Sequence, residues 1–490
     1  MTQALTDPHS LSVRARQALT EGRERELLPA LKMAATRLSD PALFQWAGLL
    51  HRALDELQPA MEAFDAAARL APDDALIALS RARVELEAGR DARKLFDRAI
   101  QIMPSGDALL GKAAAQYAAG QGVVALDELS AILASNPGWI DGHVQWSQLA
   151  SMTGQATRAT ETIERTIRSD RSSIEARLAL IDILTKGARH VEAAAAADDA
   201  IKATGQPGPF TLRLASALSD SAQLDRAASL FAALGEPTDV HHAVHLARLY
   251  VRQGRVDALA DLSNRWMAGD NAHHFWPYAS IAWRLASDPR WQWLEGDSRL
   301  VQVVDLSARI GALEPLGRCL HGIHSRSGRF LDQSVRGGTQ TDGALLSRLE
   351  PEIQELRSAI VSAVEEYRAQ LPPHDPYHPM LRHRRDGEVR FAGSWSVKLK
   401  PSGHHSHHIH PAGWISSAFY VETPDDMADG QGWLTLGEPQ SELGLTLPPI
   451  LSVRPQPGLL VLFPSMMWHG TNPFLSGERM TVAFDVAPPR

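Results

Sequence analysis

Residues 404–410 read HHSHHIH, five histidines in seven positions of a chain that holds twenty in all. Neutral imidazole is a common ligand for transition metals, which makes such a cluster a candidate metal site. In an extended segment alternate side chains share a side, so His408 and His410 project together while Ile409 turns away. A third histidine, His469, lies 61 residues further on, and Arg479 follows ten residues after that. Three protein ligands on one face of a metal leave adjacent positions open, as non-haem iron chemistry with dioxygen requires. An arginine offers a planar fork to the carboxylate of a second molecule bound there. Crowded histidines in a solvated loop would be an adventitious metal trap, and a lone arginine is usually a surface ion-pair partner. The joint spacing of 408, 410, 469 and 479 argues for a built site. No aspartate or glutamate lies between Gly403 and Val421, and Glu422 is the first carboxylate beyond them. His410 is therefore the residue at hand for a third ligand, with a second-sphere or cavity-lining place as its other reading. His404 and His407 read as entrance or surface residues, and His405 as one that orients a ligand or touches a substrate.

Such residues need strands to hold them. Six segments near the C-terminus carry strand-like patterns: GSWSVKLK, GWISSAFYVE, GWLTLGE, ILSVRP, GLLVLFP and RMTVAFDV. Turn pairs such as Pro457-Gly458 and Ser476-Gly477 separate several of them. Several short strands of this kind predict a sandwich or jelly roll. His469 directly follows GLLVLFP in PSMMW-H, and Arg479 opens the final strand with Thr481 on its own face. Lys398 and Tyr420 lie on candidate core strands, either facing a bound molecule or supporting the sheet. Upstream, residues 344–371 return to helical spacing, with Ile353, Leu356, Ile360 and Val364 on one face.

The stretch from about 331 to 490 resembles the 2-oxoglutarate/Fe(II)-dependent oxygenase superfamily, in a bacterial group found beside helical repeats. The resemblance is carried by QSVRGGTQT (333–341), GSWSVKL (393–399), HIHPAGWISSAFYV (408–421), GWLTLGEP (432–439), PGLLVLFPSMMWHGTNPF (457–474) and ERMTVAFDV (478–486). It implies a double-stranded β-helix, or jelly roll, with flanking helices. It also implies Fe(II) held by His408 and His469, and 2-oxoglutarate held by Arg479. Thr481, Lys398 and Tyr420 are further co-substrate candidates. The familiar pattern is His-X-Asp or His-X-Glu; here the third position is His410, which we read as a third histidine ligand. His405, Arg336, Gln340 and Trp414 are the substrate-side candidates. The activity implied is hydroxylation of a C–H bond, with release of succinate and CO2. The alternative is a non-catalytic scaffold whose jelly roll keeps a metal without turnover.

The chain ahead of this region repeats. Ala60, Ala92, Ala125, Ala159, Ala193 and Ala227 recur 32 to 34 residues apart, with Phe64, Phe96 and Phe231 four residues after three of them. Gly89, Gly120, Gly154, Gly187 and Gly254 stand where a turn would separate paired helices, and Pro72, Pro104 and Pro137 where a second helix would stop. Apolar offsets of four and three put these residues on one helix face, and the small alanine admits a close neighbour. A single hairpin cannot bury that face, so hairpins stack into a solenoid. Residues 41–265 resemble the tetratricopeptide repeat family, which implies a peptide or protein partner. The expected order is a multidomain chain: a helical extension (1–40), an all-α tetratricopeptide-like solenoid (41–265), an aromatic-rich helical connector (266–330) and the jelly roll (331–490). Trp276, Trp283, Trp291 and Trp293 in the connector read as a seal between solenoid and jelly roll. A formal charge of −8 argues against nucleic acid or an anionic membrane as main partner. The lone Cys319 excludes a disulfide framework within the chain. The N-terminal residues lack the apolar core of a secretory signal, so the expected location is cytoplasmic.

Overall fold

Aspartate or serine opens the first helix of most repeats. Asp40, Asp74, Ser105, Ser173 and Asp239 each accept a hydrogen bond from a backbone N–H in the first turn of the helix that follows. Each cap contributes about 1 kcal/mol. In the computed structural model, which describes residues 7–324, 331 and 334–489, these helices pair with the ones after them. Pro41–Ala53 pairs with Leu57–Leu70, Ala75–Glu87 with Arg93–Ile102, and the series runs to Val240–Arg252 with Val256–Met267. A further pair, Pro8–Glu21 and Glu24–Leu38, precedes them. The six spaced alanines are at most 2% exposed. Close approach is literal at Gly48, where a Cβ would lie 2.7 Å from the Phe64 ring. The turn glycines follow the expected logic at Gly89, with φ +81°. At Gly187 they do not: its φ is −76°, and the left-handed residue is Ala188 at +56°. The turn needs one left-handed residue, not a glycine at a fixed position.

The C-terminal region folds into nine strands: β1 (Gln302–Asp305), β2 (Val335–Gln340), β3 (Phe391–His405), β4 (Ile415–Glu422), β5 (Leu434–Leu436), β6 (Leu451–Val453), β7 (Leu459–Pro464), β8 (His469–Thr471) and β9 (Arg479–Val486). Six form one antiparallel sheet in the order β1-β7-β4-β9-β3-β2, and three form a second in the order β6-β5-β8. Tyr420, Val461 and Phe463 from the large sheet meet Leu434 and Leu436 from the small one in a buried cluster. That is the jelly-roll arrangement, two sheets closed over an apolar core. All six expected strands are present. Three were not expected: β8, β1 from the supposed helical connector, and β2, which makes a bulged edge strand of the glycine-rich loop. Gln333, which opens that loop, lies outside the described residues. The helix Pro351–Gln370 buries Ile353, Leu356, Ile360 and Val364 completely, as its spacing predicts.

Compactness divides the chain into residues up to 129 with 342–358, and residues 130–341 with 359–489. The first division falls within the helix Gly122–Ser135, inside the repeat array. In the second unit one apolar cluster runs from the late repeats into the sheets: Leu443 and Trp468 are buried among Leu246, Leu249, Phe275 and Tyr278. The Trp468 Nε1–H donates to Pro277 O at 3.3 Å. Arg248 donates to the Gln440 side chain at 3.1 Å, and Arg284 to the Gly437 and Pro448 carbonyls. Trp283 packs with Leu294 and Met466, with Trp276 and Trp291 against them, so three of the four tryptophans seal repeats to sheets, while Trp293 is exposed. Among the described residues no helix is long and apolar enough to cross a membrane.

Candidate metal centre

Backbone pairing brings the three histidines together. His408 and His469 form an antiparallel bridge, with N–H to carbonyl distances of 2.9 and 3.0 Å. The His410 N–H donates to Ser465 O at 3.0 Å. Both extended segments alternate: Ile409 and Trp468 turn into the cluster shared with the repeats, while their histidine neighbours turn the other way. Ring centroids lie 4.3 Å apart for His408 and His469, 4.9 Å for His408 and His410, and 5.0 Å for His410 and His469. One ring nitrogen of each lies within 4.8 Å of the other two.

Each Nδ1 is already engaged. That of His408 donates to Ser406 O at 2.8 Å, that of His469 to Met467 O at 2.9 Å, and that of His410 to the carboxylate of Asp485. Acceptors of these kinds require Nδ1–H, so in a neutral ring Nε2 carries the lone pair. Burial, then neighbouring imidazoles, holds His408 and His469 well below the usual histidine value, which keeps them neutral. Three clustered imidazoles with Nδ1 engaged offer Nε2 to a divalent transition metal, and Ser334 Oγ lies 3.4 Å from the Nε2 of His408. Phe463 packs edge-on against His469 at 4.9 Å.

A second feature lies on β9. Arg479 is 1% exposed and pairs with no carboxylate among the described residues. One terminal nitrogen donates to Gly432 O at 2.6 Å and the other to Thr471 Oγ1 at 3.2 Å. Its Nε and the hydroxyl of Tyr420 are buried without a partner. Burial pulls the guanidinium below its usual value, and burial pushes the Tyr420 hydroxyl up to about 12. A sequestered cation beside two orphaned donors fits the carboxylate of a bound molecule.

The other expected residues divide. Gln340, Val397, Thr481 and Tyr420 form one cross-strand row over β2, β3, β9 and β4, so the first, third and fourth share a face. His405 is stacked at 6.2 Å on His408, and Ser334 Oγ lies 3.1 Å from its Nδ1. Burial, and Arg479 next, pushes His405 down to about 3. Arg336 stands opposite His404 at the same end of β3. Trp414 lines a cavity of about 260 Å³ with His410, Trp276 and Met466, and its Nε1–H donates to Met380 O at 2.9 Å. Lys398 is not brought to the site. One residue out of phase with Val397 and Leu399, it faces away from Arg479, and its ammonium is paired with Glu478 at 2.8 Å. His407 is not a free surface residue either, since its Nε2 lies 2.7 Å from Thr435 Oγ1 and 3.3 Å from Glu438. Sequence reasoning missed Asp485, Thr471 and Gly432. For Asp485 a signal existed: in RMTVAFDV, Arg479, Thr481 and Asp485 share a strand face.

Comparison with known proteins agrees with this geometry. Residues 393–485 match the family described as "Putative 2OG-Fe(II) oxygenase". That match falls within the C-terminal sheets that carry the site. The match spans β3 to β9 and so contains all three histidines, Asp485 and Arg479. No curated protein matches the chain. Among solved structures, a viral collagen prolyl hydroxylase from Paramecium Bursaria Chlorella virus-1, in its 2-oxoglutarate complex, is similar at 12% identity, covering 40% of this chain and 98% of that one, TM-score 0.27. A Pseudomonas putida prolyl-4-hydroxylase is similar at 13% identity, covering 39% and 95%, TM-score 0.27. MamA from Desulfovibrio magneticus RS-1 is similar at 18% identity, covering 34% and 95%, TM-score 0.29. At such scores the architecture rests on the strands and helices of the chain itself.

Proposed function

We propose that this protein is an Fe(II)- and 2-oxoglutarate-dependent dioxygenase that hydroxylates a C–H bond of a peptide or protein held by its repeat array. The observation that carries the reading is the pairing of two features in one domain: three clustered imidazoles whose Nδ1 atoms are engaged, and a buried arginine with no carboxylate partner among the described residues. His408, His410 and His469 would hold Fe(II), and Arg479 would hold the far carboxylate of 2-oxoglutarate, with the Tyr420 hydroxyl beside it. Iron bound there supplies dioxygen activation coupled to decarboxylation of 2-oxoglutarate to succinate and CO2, with one oxygen atom inserted into the substrate C–H bond. The protein's share is positional. The Ser406 and Met467 carbonyls and the Asp485 carboxylate fix the ring orientations, which keeps the three lone pairs convergent. Tyr420, Phe463, Leu434 and Leu436 keep the space between the sheets apolar and exclude bulk water. Thr481 and Gln340 share the Tyr420 row, and His405 would touch the substrate. The repeats would present the substrate or dock the enzyme to a partner.

The second reading, a scaffold that keeps metal without turnover, is favoured by one feature, the imidazole of His410 where the family pattern has a carboxylate. Purified protein with Fe(II), 2-oxoglutarate and oxygen separates the two. Succinate formation, abolished in His408→Ala and His469→Ala, is the expected result. Tight 2-oxoglutarate binding with no succinate, even with candidate substrates captured on the repeats, would support the scaffold.

A further inference from the structure

The metal site proposed above has no carboxylate ligand, yet a carboxylate stands directly behind it. Both oxygens of Asp485 are engaged: Oδ2 accepts the Nδ1–H of His410, and Oδ1 accepts the Ser416 hydroxyl at 2.5 Å. Ser416 stands opposite Asp485 across β4 and β9, and its hydroxyl also lies 2.9 Å from Ser465 Oγ. Ser465 in turn accepts the His410 backbone N–H through its carbonyl. The group is therefore closed, with ring, carboxylate, two hydroxyls and main chain each fixing the next. Asp485 is 8% exposed, so water competes poorly for either oxygen.

Resting on the reading of His408, His410 and His469 as metal ligands, we infer that Asp485 is the positioning residue that makes His410 a ligand. A half-turn of the ring would set Cδ2–H against the carboxylate and carry Nε2, with its lone pair, away from the metal. A charge-assisted hydrogen bond opposes that turn. The same bond pushes electron density toward Nε2 and raises its basicity, as carboxylate–histidine pairs behind metals do. The negative charge that a His-X-Asp pattern would place on the metal acts here through one imidazole. Asp485 comes from a different strand, 75 residues away.

The test uses the full chain and Co(II), followed by calorimetry and visible absorption. His408→Ala and His469→Ala are the controls for the parent reading, and each should lose tight Co(II) binding. If both bind Co(II) like the native chain, the metal site itself is refuted. With the controls behaving, Asp485→Ala should weaken Co(II) by about 10- to 100-fold and shift the visible band. Asp485→Asn, whose amide oxygen still accepts from Nδ1–H, should recover part of the affinity. Native affinity and an unchanged band in folded Asp485→Ala overturn the inference. A second measurement needs no variant at Asp485: in ¹⁵N-histidine-labelled native protein with Zn(II), His410, assigned through His410→Gln, should show a protonated Nδ1 and a metal-bound Nε2. A protonated Nε2 on His410 overturns the inference whatever the variants do.

Discussion

Replacing Arg479 with methionine should separate binding from stability. Methionine keeps much of the volume and removes the charge. In the native chain the guanidinium is fully buried with no carboxylate partner among the described residues, an arrangement that costs several kcal/mol in desolvation. Its loss leaves the Gly432 carbonyl without the 2.6 Å donor, a penalty of about 1 to 3 kcal/mol. Thr471 Oγ1 still accepts the His405 N–H at 2.9 Å. The two effects oppose, so the ligand-free variant should melt within a few degrees of the native chain. Binding should respond differently. Truncating one partner of a buried charge pair costs roughly 2 to 5 kcal/mol, which is about 30-fold or more in 2-oxoglutarate affinity. At a concentration 100 times the native Kd, 2-oxoglutarate stabilises the native chain by about 2.7 kcal/mol and the variant by less than about 1 kcal/mol. The assay is thermal melting with Mn(II) under nitrogen, with and without 2-oxoglutarate, backed by calorimetry. A variant that loses 3 kcal/mol or more without ligand, yet keeps the full 2-oxoglutarate shift, would show that Arg479 serves the fold and would refute the assignment.

Lys398→Met should leave 2-oxoglutarate and metal affinity within twofold of native by calorimetry, because the ammonium serves Glu478 on the opposite sheet face; its ion pair is worth up to about 1 kcal/mol. Trp468→Ala should cost about 3 to 5 kcal/mol in chemical denaturation and weaken Co(II) binding at the adjacent His469, since the ring lies in the core shared with the repeats. For the same reason, chains 1–290 and 291–490 made separately should aggregate where the full chain does not, as size-exclusion chromatography would reveal. Glu295 is buried beside Ser280, and burial pushes its carboxyl up to about 7 from an ordinary 4.5. The folded state holds the extra proton between these values, so native stability falls as pH rises through that window and levels off above it. Glu295→Gln removes this slope, and its advantage over the native chain should grow by roughly 2 to 3 kcal/mol from pH 5 to pH 8; parallel melting curves across that range would refute the burial argument.

Period was the most legible signal in the sequence. A recurrence of alanine every 32 to 34 residues needs only local helix geometry, and all six of these alanines are buried. The six longer period-two runs became strands for the same reason. What sequence could not show was the partner across a sheet. β1 is four residues long and reads as part of a helical neighbourhood until β7 pairs with it. Lys398 illustrates the limit at the site: alternation says that it and Leu399 take opposite faces, but not which face meets Arg479. His408 and His410 could be placed side by side from the residues alone, whereas Asp485 required knowledge that β9 runs past His410. Gly187 shows a smaller limit, since a turn asks for a backbone conformation and an alanine next door can supply it.

The alternation at Ile409–His410 and Trp468–His469 has a consequence for how such proteins can be recombined. Each segment offers a histidine to one side and an apolar anchor to the late repeats on the other. The repeats that touch Trp468 are thus a wall of the jelly roll, not a detachable reader. The shared cluster takes in the repeats from Ile174 onward. Repeats before that point hold other segments of the C-terminal half: Leu349 packs against Leu57, Met61 and Phe64, and Leu331 against Ile163 and Ala176. Those after it must vary in step with the strands that carry the histidines.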